Sequence, residues 1–395
     1  MRARSVYVLT AVTFAAACAA NAPASSPAVS AAERREVEIA FYADRAARDP
    51  LGAADRSRLA ALYLDRARES GSFGDLDRAE HAARESLKLR AAHNAPTYAL
   101  LASILMAQHR FHDALRAAES ADAMESGLVP YRALIGEVAL ELGQDERART
   151  IFDSLRREPL TDAAALRLAR WHEVSGHVDW AVATLTRVAR EWERLAEPRP
   201  SQLAWLYLRL SELAMKQRRL TAADSALRLG FGHAPNDYRL LGAAARLAAR
   251  RGRWRESIRW GERAIVITME PATLGVLSDS YRAIGDMTRS AEYATILRNV
   301  ALSQPGFPHR SWSLWLLDHD RDVAQVLRRA RAELAVRKDV YGCDLYAWAL
   351  YKAGQYDQAW TAMQQALRLG TQDPLLARHA AIIQSAVQHG GARAA

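Results

Sequence analysis

The chain has 395 residues, half of them apolar and a quarter charged, with 20 glycines, 13 prolines and a formal charge of +9. This balance excludes a collagen-like fibre and a wholly disordered chain, and the length suits two or three ordinary domains or one elongated repeat array. Only Lys88, Lys216, Lys338 and Lys352 are lysines, so the basic character is almost all arginine. That bias suits bidentate contacts to carboxylates or phosphates, but ordinary helix surfaces share it and it names no ligand.

Residues 1 to 22 begin with Arg2 and Arg4, continue with an apolar stretch from Val6 to Ala17, and end in small residues. The stretch is too short for a membrane span and is soon followed by Ser, Pro and Asn, so an export signal is expected over residues 1–18. Ala15-Ala16-Ala17-Cys18 resembles a bacterial lipobox, with Ala15 where leucine is usual. The resemblance implies that Cys18 is lipidated and tethers the chain to a bilayer; simple cleavage in the alanine-rich region is the alternative. Residues 19–32, rich in Ala, Ser and Pro, read as a flexible tether. The other cysteine, Cys343, lies in a helical apolar pattern and reads as a small core residue, leaving no disulfide to form once Cys18 is modified or lost.

From residue 33 the apolar spacing is three to four, which predicts helix after helix. A turn glycine followed five residues later by a small residue recurs as Gly143 with Ala148, Gly176 with Ala181, Gly252 with Ser257, Gly285 with Ser290 and Gly354 with Ala359. His109 with Ala114 and Arg218 with Ala223 keep the register without glycine. A longer loop is predicted at Glu197-Pro198-Arg199-Pro200. Residues 56–90 read as a first unit with an enlarged turn from Glu69 to Gly74. Residues 311–336 read as an atypical unit with His319-Asp320-Arg321-Asp322 at its turn; each of the two is a capping variant, a local bend or drift.

Tyr346-Ala347, Leu350, Ala353-Gly354-Gln355-Tyr356, Ala359, Met363 and Ala366, and again Ile135-Gly136, Ala139, Gly143, Ala148 and Phe152, resemble the tetratricopeptide repeat, a helix pair of about 34 residues. The resemblance implies an all-α, right-handed superhelical solenoid of antiparallel helix pairs. About eight or nine pairs fit residues 33–373, with a capping helix over 374–390.

No phosphate-binding glycine loop, zinc motif or nucleophile elbow is present, so no cofactor, metal or catalytic residue is assigned and the chain is expected not to be an enzyme. His109 with His112 and His172 with His177 read as solvated turn histidines. Glu137 and Glu141 lie four apart on one helix face, a spacing that can bring acids together and raise a pKa, Asp320 with Asp322 reads as a turn, and a composite helical active site is the weakest alternative. Trp180, Trp254 and Trp360 read as packing or partly exposed rings, and Trp312 with Trp315 as core, an exposed hot spot being the alternative. Transferring the family's groove positions selects Arg170, Glu173, Trp205, Glu212, Lys216, Arg246, Arg250, Asp279, Arg282, Asp344, Trp348, Tyr351 and Lys352 as a partner-binding groove. The expected function is a scaffold or adaptor at the bacterial cell envelope, binding a protein or peptide. The alternative is an Arg-rich groove for nucleic acid or another anionic polymer, which export disfavours for intracellular partners.

Overall fold

Apolar residues three and four apart give each helix one stripe to bury, and the chain buries it by packing helices on their neighbours in the chain, one or two places away. The computed structural model describes residues 30–196, 200–303 and 310–391, which are helices and short connections with no strand among the described residues. The expected export signal, Cys18 and residues 19–29 of the tether lie outside them, as do Glu197, Pro198 and Arg199.

Helix α1 (Ala31–Arg48) begins on Ser30, whose hydroxyl accepts from Glu33 N at 3.1 Å while the Glu33 carboxylate accepts from Ser30 N at 2.8 Å. This capping box fixes the helix start just ahead of residue 33. Nine antiparallel pairs follow. They are α2 (Ala53–Ser70) with α3 (Phe73–Leu89), α4 (Ala95–Ala107) with α5 (Phe111–Met124), and α6 (Val129–Glu141) with α7 (Asp145–Leu155). Next come α8 (Asp162–Val174) with α9 (Val178–Glu193), α10 (Pro200–Lys216) with α11 (Leu220–His233), and α12 (Tyr238–Arg250) with α13 (Trp254–Ile267). The last three are α14 (Pro271–Ala283) with α15 (Met287–Ser303), α16 (Arg310–Asp318) with α17 (Val323–Glu333), and α18 (Val340–Lys352) with α19 (Tyr356–Leu367). Helix α20 (Pro374–Gly391) closes the series, which is a tetratricopeptide-like antiparallel helical solenoid.

Every pair turns on a residue in the left-handed region: Gly71, His109, Gly143, Gly176, Arg218, Gly252, Gly285, Asp320 and Gly354. In eight of the nine the next N–H then reaches back into the first helix, as Gln144 does to the Ala139 carbonyl at 2.8 Å and His177 to that of His172 at 2.7 Å, whereas Ser72 N donates to Ser70 Oγ. The first unit's turn is shorter than expected. Gly71 ends α2, Ser72 caps α3 by accepting from Asp75 N, and Phe73 and Gly74 are already helical. The atypical unit is a short pair that turns on Asp320, with Asp322 also left-handed at the start of α17, and Trp312 and Trp315 are core residues. Five residues past the turn, Ala114, Ala148, Ala181, Ala223 and Ala359 are wholly buried where the two helices of a pair cross. Ser257 and Ser290 take this place in two units, and their hydroxyls are satisfied by Ser280 and Ser278.

The first helices of successive pairs also touch one another, α6 with α8, α10 with α12 and α16 with α18, while no two second helices make comparable contact. Unequal spacing of this kind bends the stack, with the first helices on the inside. The bend brings the chain back onto itself. Thr268 Oγ1 donates to the Ser70 carbonyl at 3.0 Å and Thr371 Oγ1 to that of Val174, across 198 and 197 residues respectively. At about 34 residues per unit the coil closes after about six units. Each seam sets the turn inside an early pair against the loop that leads into a later first helix.

This close approach explains two of the glycines. A Cβ at Gly143 would lie 2.7 Å from Lys338 Cβ and 2.8 Å from its carbonyl oxygen, and one at Gly176 would lie 2.5 Å from the Gly370 carbonyl oxygen. Gly252, Gly285 and Gly354, which face no later turn, have nothing within 4 Å. Gly285→Ala should therefore cost only the left-handed backbone penalty, about 1–2 kcal/mol. Gly176→Ala should cost clearly more, because its Cβ also meets backbone across the seam. Chemical denaturation of the two variants side by side checks the order.

Candidate functional site: an inner ladder of charges

The last turns of the inner helices carry long polar side chains at spacings of three and four, which keeps them on one helical face. Arg170 and Glu173 lie on α8, Arg209, Glu212 and Lys216 on α10, and Arg246 and Arg250 on α12. Neighbouring inner helices are cross-bonded through this face. Arg167 donates to Glu137 at 2.8 Å, Arg209 to Glu173 at 2.6 Å and Arg246 to Glu212 at 3.3 Å. Further along, Asp279 accepts from Trp315 Nε1 at 3.3 Å and lies 3.0 Å from His319 Nε2. Trp348 Nε1 donates to Asp318 at 3.1 Å, and Lys352 pairs with Asp320 at 2.7 Å.

Glu173 is the centre of the ladder. Its buried carboxylate pairs with Arg170 at 3.0 Å, Arg209 at 2.6 Å and Lys216 at 2.8 Å. Burial pushes its pKa up, but Arg209, Arg170 and Lys216 together pull it well below the usual carboxylate range. Burial would likewise lower Lys216, and Glu173 reverses the direction, so the ammonium is held charged. Lys216 also pairs with Asp373 at 3.1 Å and donates to the Tyr341 hydroxyl at 2.8 Å. The Tyr341 ring has Arg170, Lys216 and Arg310 within 5.5, 5.0 and 5.3 Å of its centroid, so residues of the second turn fill the inner face of the first.

Two more arginines flank this centre. Arg337 meets Glu141 at 3.0 Å and Asp339 at 2.8 Å, and Arg368 pairs with Asp145. Glu137 and Glu141 thus face separate arginines instead of each other. Burial raises the Glu141 pKa, and the same effect raises that of the Cys343 thiol in its core position.

The groove positions selected from sequence divide by their surroundings. Arg170, Glu173, Glu212, Lys216 and Arg246 form the ladder, while Arg250 donates to the Met215 carbonyl at 3.1 Å and burial lowers its pKa. Trp205 is half-buried against the core between α8 and α10, and Arg282 is exposed. Asp344 and Trp348 lie beneath α20: Asp344 accepts from Arg310 and is 2.8 Å from His379 Nδ1, and the Trp348 ring stacks on His379 at 4.1 Å and on Tyr351 at 4.8 Å. In this arrangement both side chains are closed to an outside partner. Arg209 lay within reach of sequence reasoning, three residues before Glu212 on the same face. Tyr341, Arg310, Arg337 and Asp373 did not, because folding alone brings them opposite α6, α8 and α10.

The histidine pairs hold no metal-like arrangement. His172 is buried, with its ring 5.9 Å from that of His177, and burial lowers its pKa to about 4, so it is neutral at pH 7. His109 occupies its turn and packs edge-on against Phe111. Among the described residues no group of three or more His, Cys, Asp or Glu could hold a metal ion.

No family model matches the sequence, and no curated protein matches it. Among solved structures, the human IFIT1 dimer with m7Gppp-AAAA is similar at a TM-score of 0.52 and 13% identity, over 80% of this chain and 72% of that one. The APC/C hetero-tetramer Cut9-Hcn1 gives 0.49 at 15% identity, over 82% of this chain and 55% of that one, so this chain spans about half its length. A tetratricopeptide repeat protein from Parabacteroides merdae ATCC 43184 gives 0.43 at 14% identity, over 64% and 94%. The IFIT1 likeness shows a shared fold and nothing of ligand or partner.

Removing the Glu173 charge should test the centre directly. Glu173→Gln leaves three cations short of a counter-charge and should cost about 3–5 kcal/mol at pH 7. Because the folded-state pKa is depressed, this stabilisation is present above the unfolded value of about 4.3 and is lost as pH falls toward the folded one. Denaturation at pH 7, 4 and 2.5 should show the gap between wild type and variant narrowing as the pH drops.

Proposed function

We propose that the chain is a non-catalytic adaptor, exported and held at the cell envelope, which binds another envelope protein or a peptide along the inner face of its solenoid. The observation that supports this reading most is the ladder. Successive units place two or three long side chains on a continuous face, a periodic arrangement that suits an extended segment better than a compact small molecule.

The charge balance of the face favours a protein over a polyanion. Arg170, Arg209, Lys216 and Arg246 already have carboxylate partners in Glu173, Glu212 and Asp373. A phosphate backbone would have to displace those carboxylates and leave Glu173 buried without its counter-charges. A polypeptide with charges of both signs can exchange with them pair for pair. The envelope location rests on the sequence alone, on Arg2, Arg4, the apolar stretch and Cys18. No helix among the described residues is long and apolar enough to cross a membrane. Attachment in this reading is through lipid on Cys18.

Affinity capture of the full chain from gently solubilised bacterial envelopes, at low and at moderate salt, should retain a protein partner at both. The exposed-site variant Arg282→Glu should recover less of it with an unchanged circular-dichroism spectrum. Recovery of nucleic acid alone, washed away at moderate salt, would overturn the adaptor reading. In fractionation, Cys18→Ala should move the chain from the membrane to the soluble fraction; a variant that stays with the membrane counts against lipidation.

A further inference from the structure

We infer that the seam between the two turns of the coil is a reversible latch, which opens and closes the solenoid over its own inner face without unfolding any unit. Within a turn, units share whole helix faces. Across the seam helix ends meet turns and loops, and among the described residues no helix packs extensively on one more than two places away in the chain. From the second turn, the apolar part of the seam is Val340, Leu369 and the partly buried Tyr341, which join a first-turn cluster that includes Leu140 and Val174. The rest is polar, comprising Arg337 with Glu141, Arg368 with Asp145, Lys216 with Asp373 and Tyr341, and two threonine hydroxyls on backbone carbonyls. Such a joint is held by few contacts, most of which depend on charge, while each unit keeps its own core. It can part at far lower cost than any helix pair.

The closed state also decides what the inner face meets. Tyr341 and Asp373 put an aromatic ring and a carboxylate on Lys216, the place where side chains of a bound segment would lie. Opening withdraws both and leaves Lys216 and Arg170 on Glu173, facing an open groove. This consequence rests on the adaptor reading, whereas the latch itself stands on the geometry of the seam.

Small-angle scattering of the full chain, combined with hydrogen exchange read by mass spectrometry, tests the latch. Asp145→Arg alone should raise the radius of gyration at low salt. It should also remove amide protection from residues 140–146 and 337–343 while α12 and α13 keep theirs. Adding Arg368→Asp to the same chain restores the pair with reversed sign and should return both readings toward wild type. Wild type should move the same way as salt is raised, because screening weakens the partly exposed pairs. If Asp145→Arg does not fold, the milder Arg368→Gln provides the same comparison. An unchanged radius and unchanged seam protection in the single variants, or protection lost evenly through all units, would overturn the latch. An opened coil whose affinity for a captured partner does not change would uphold the latch and count against the adaptor reading.

Discussion

A narrow helical coil would ordinarily crowd like charges on its inner wall, and here that wall is held together by one buried carboxylate shared among three cations. Glu173 joins α8 to α10 through Arg209 and Lys216, and Lys216 carries the same network to the second turn through Tyr341 and Asp373. Without this carboxylate the arginines of α8 and α10 would repel across the space that the C-terminal units occupy. The electrostatic centre and the closure of the coil are therefore one feature, and the face that resembles an open groove in sequence is already occupied in the structure.

Steric requirements point the same way. All nine pairs need a left-handed residue at the turn, but only the early turns lie under a later loop, and there Gly143 and Gly176 leave no room for a Cβ. His109, Arg218 and Asp320 adopt the same backbone with side chains attached, so the turn conformation alone does not demand glycine. The seam adds a second demand at Gly143 and Gly176, and it links local turn chemistry to the pitch of the whole coil.

What the sequence made legible follows from the range of each interaction. The helix pairs were legible because their signals are local: apolar spacing, a turn residue, and a small residue five positions later. Arg170, Glu173, Glu212, Lys216 and Arg246 were legible as inner-face residues because one unit's geometry carries over to the next. The role of Trp348 was not, because whether an aromatic residue on an inner helix lines a groove or lies under another helix depends on α20, which covers it through His379. The seam was hidden for a similar reason. Its partners lie between 125 and 223 residues apart, and no local pattern states how many units complete a turn.

In the proposed reading the binding face and the closing device share residues, so that partner affinity and coil shape are coupled. Closure is the most directly measurable part of this account. Spin labels at Glu146 and Gln365, exposed positions beside Asp145 and Arg368, report the distance across the seam by double electron–electron resonance at low ionic strength. A single short, narrow distance distribution is the result the closed coil predicts; a broad distribution at long distance would contradict it.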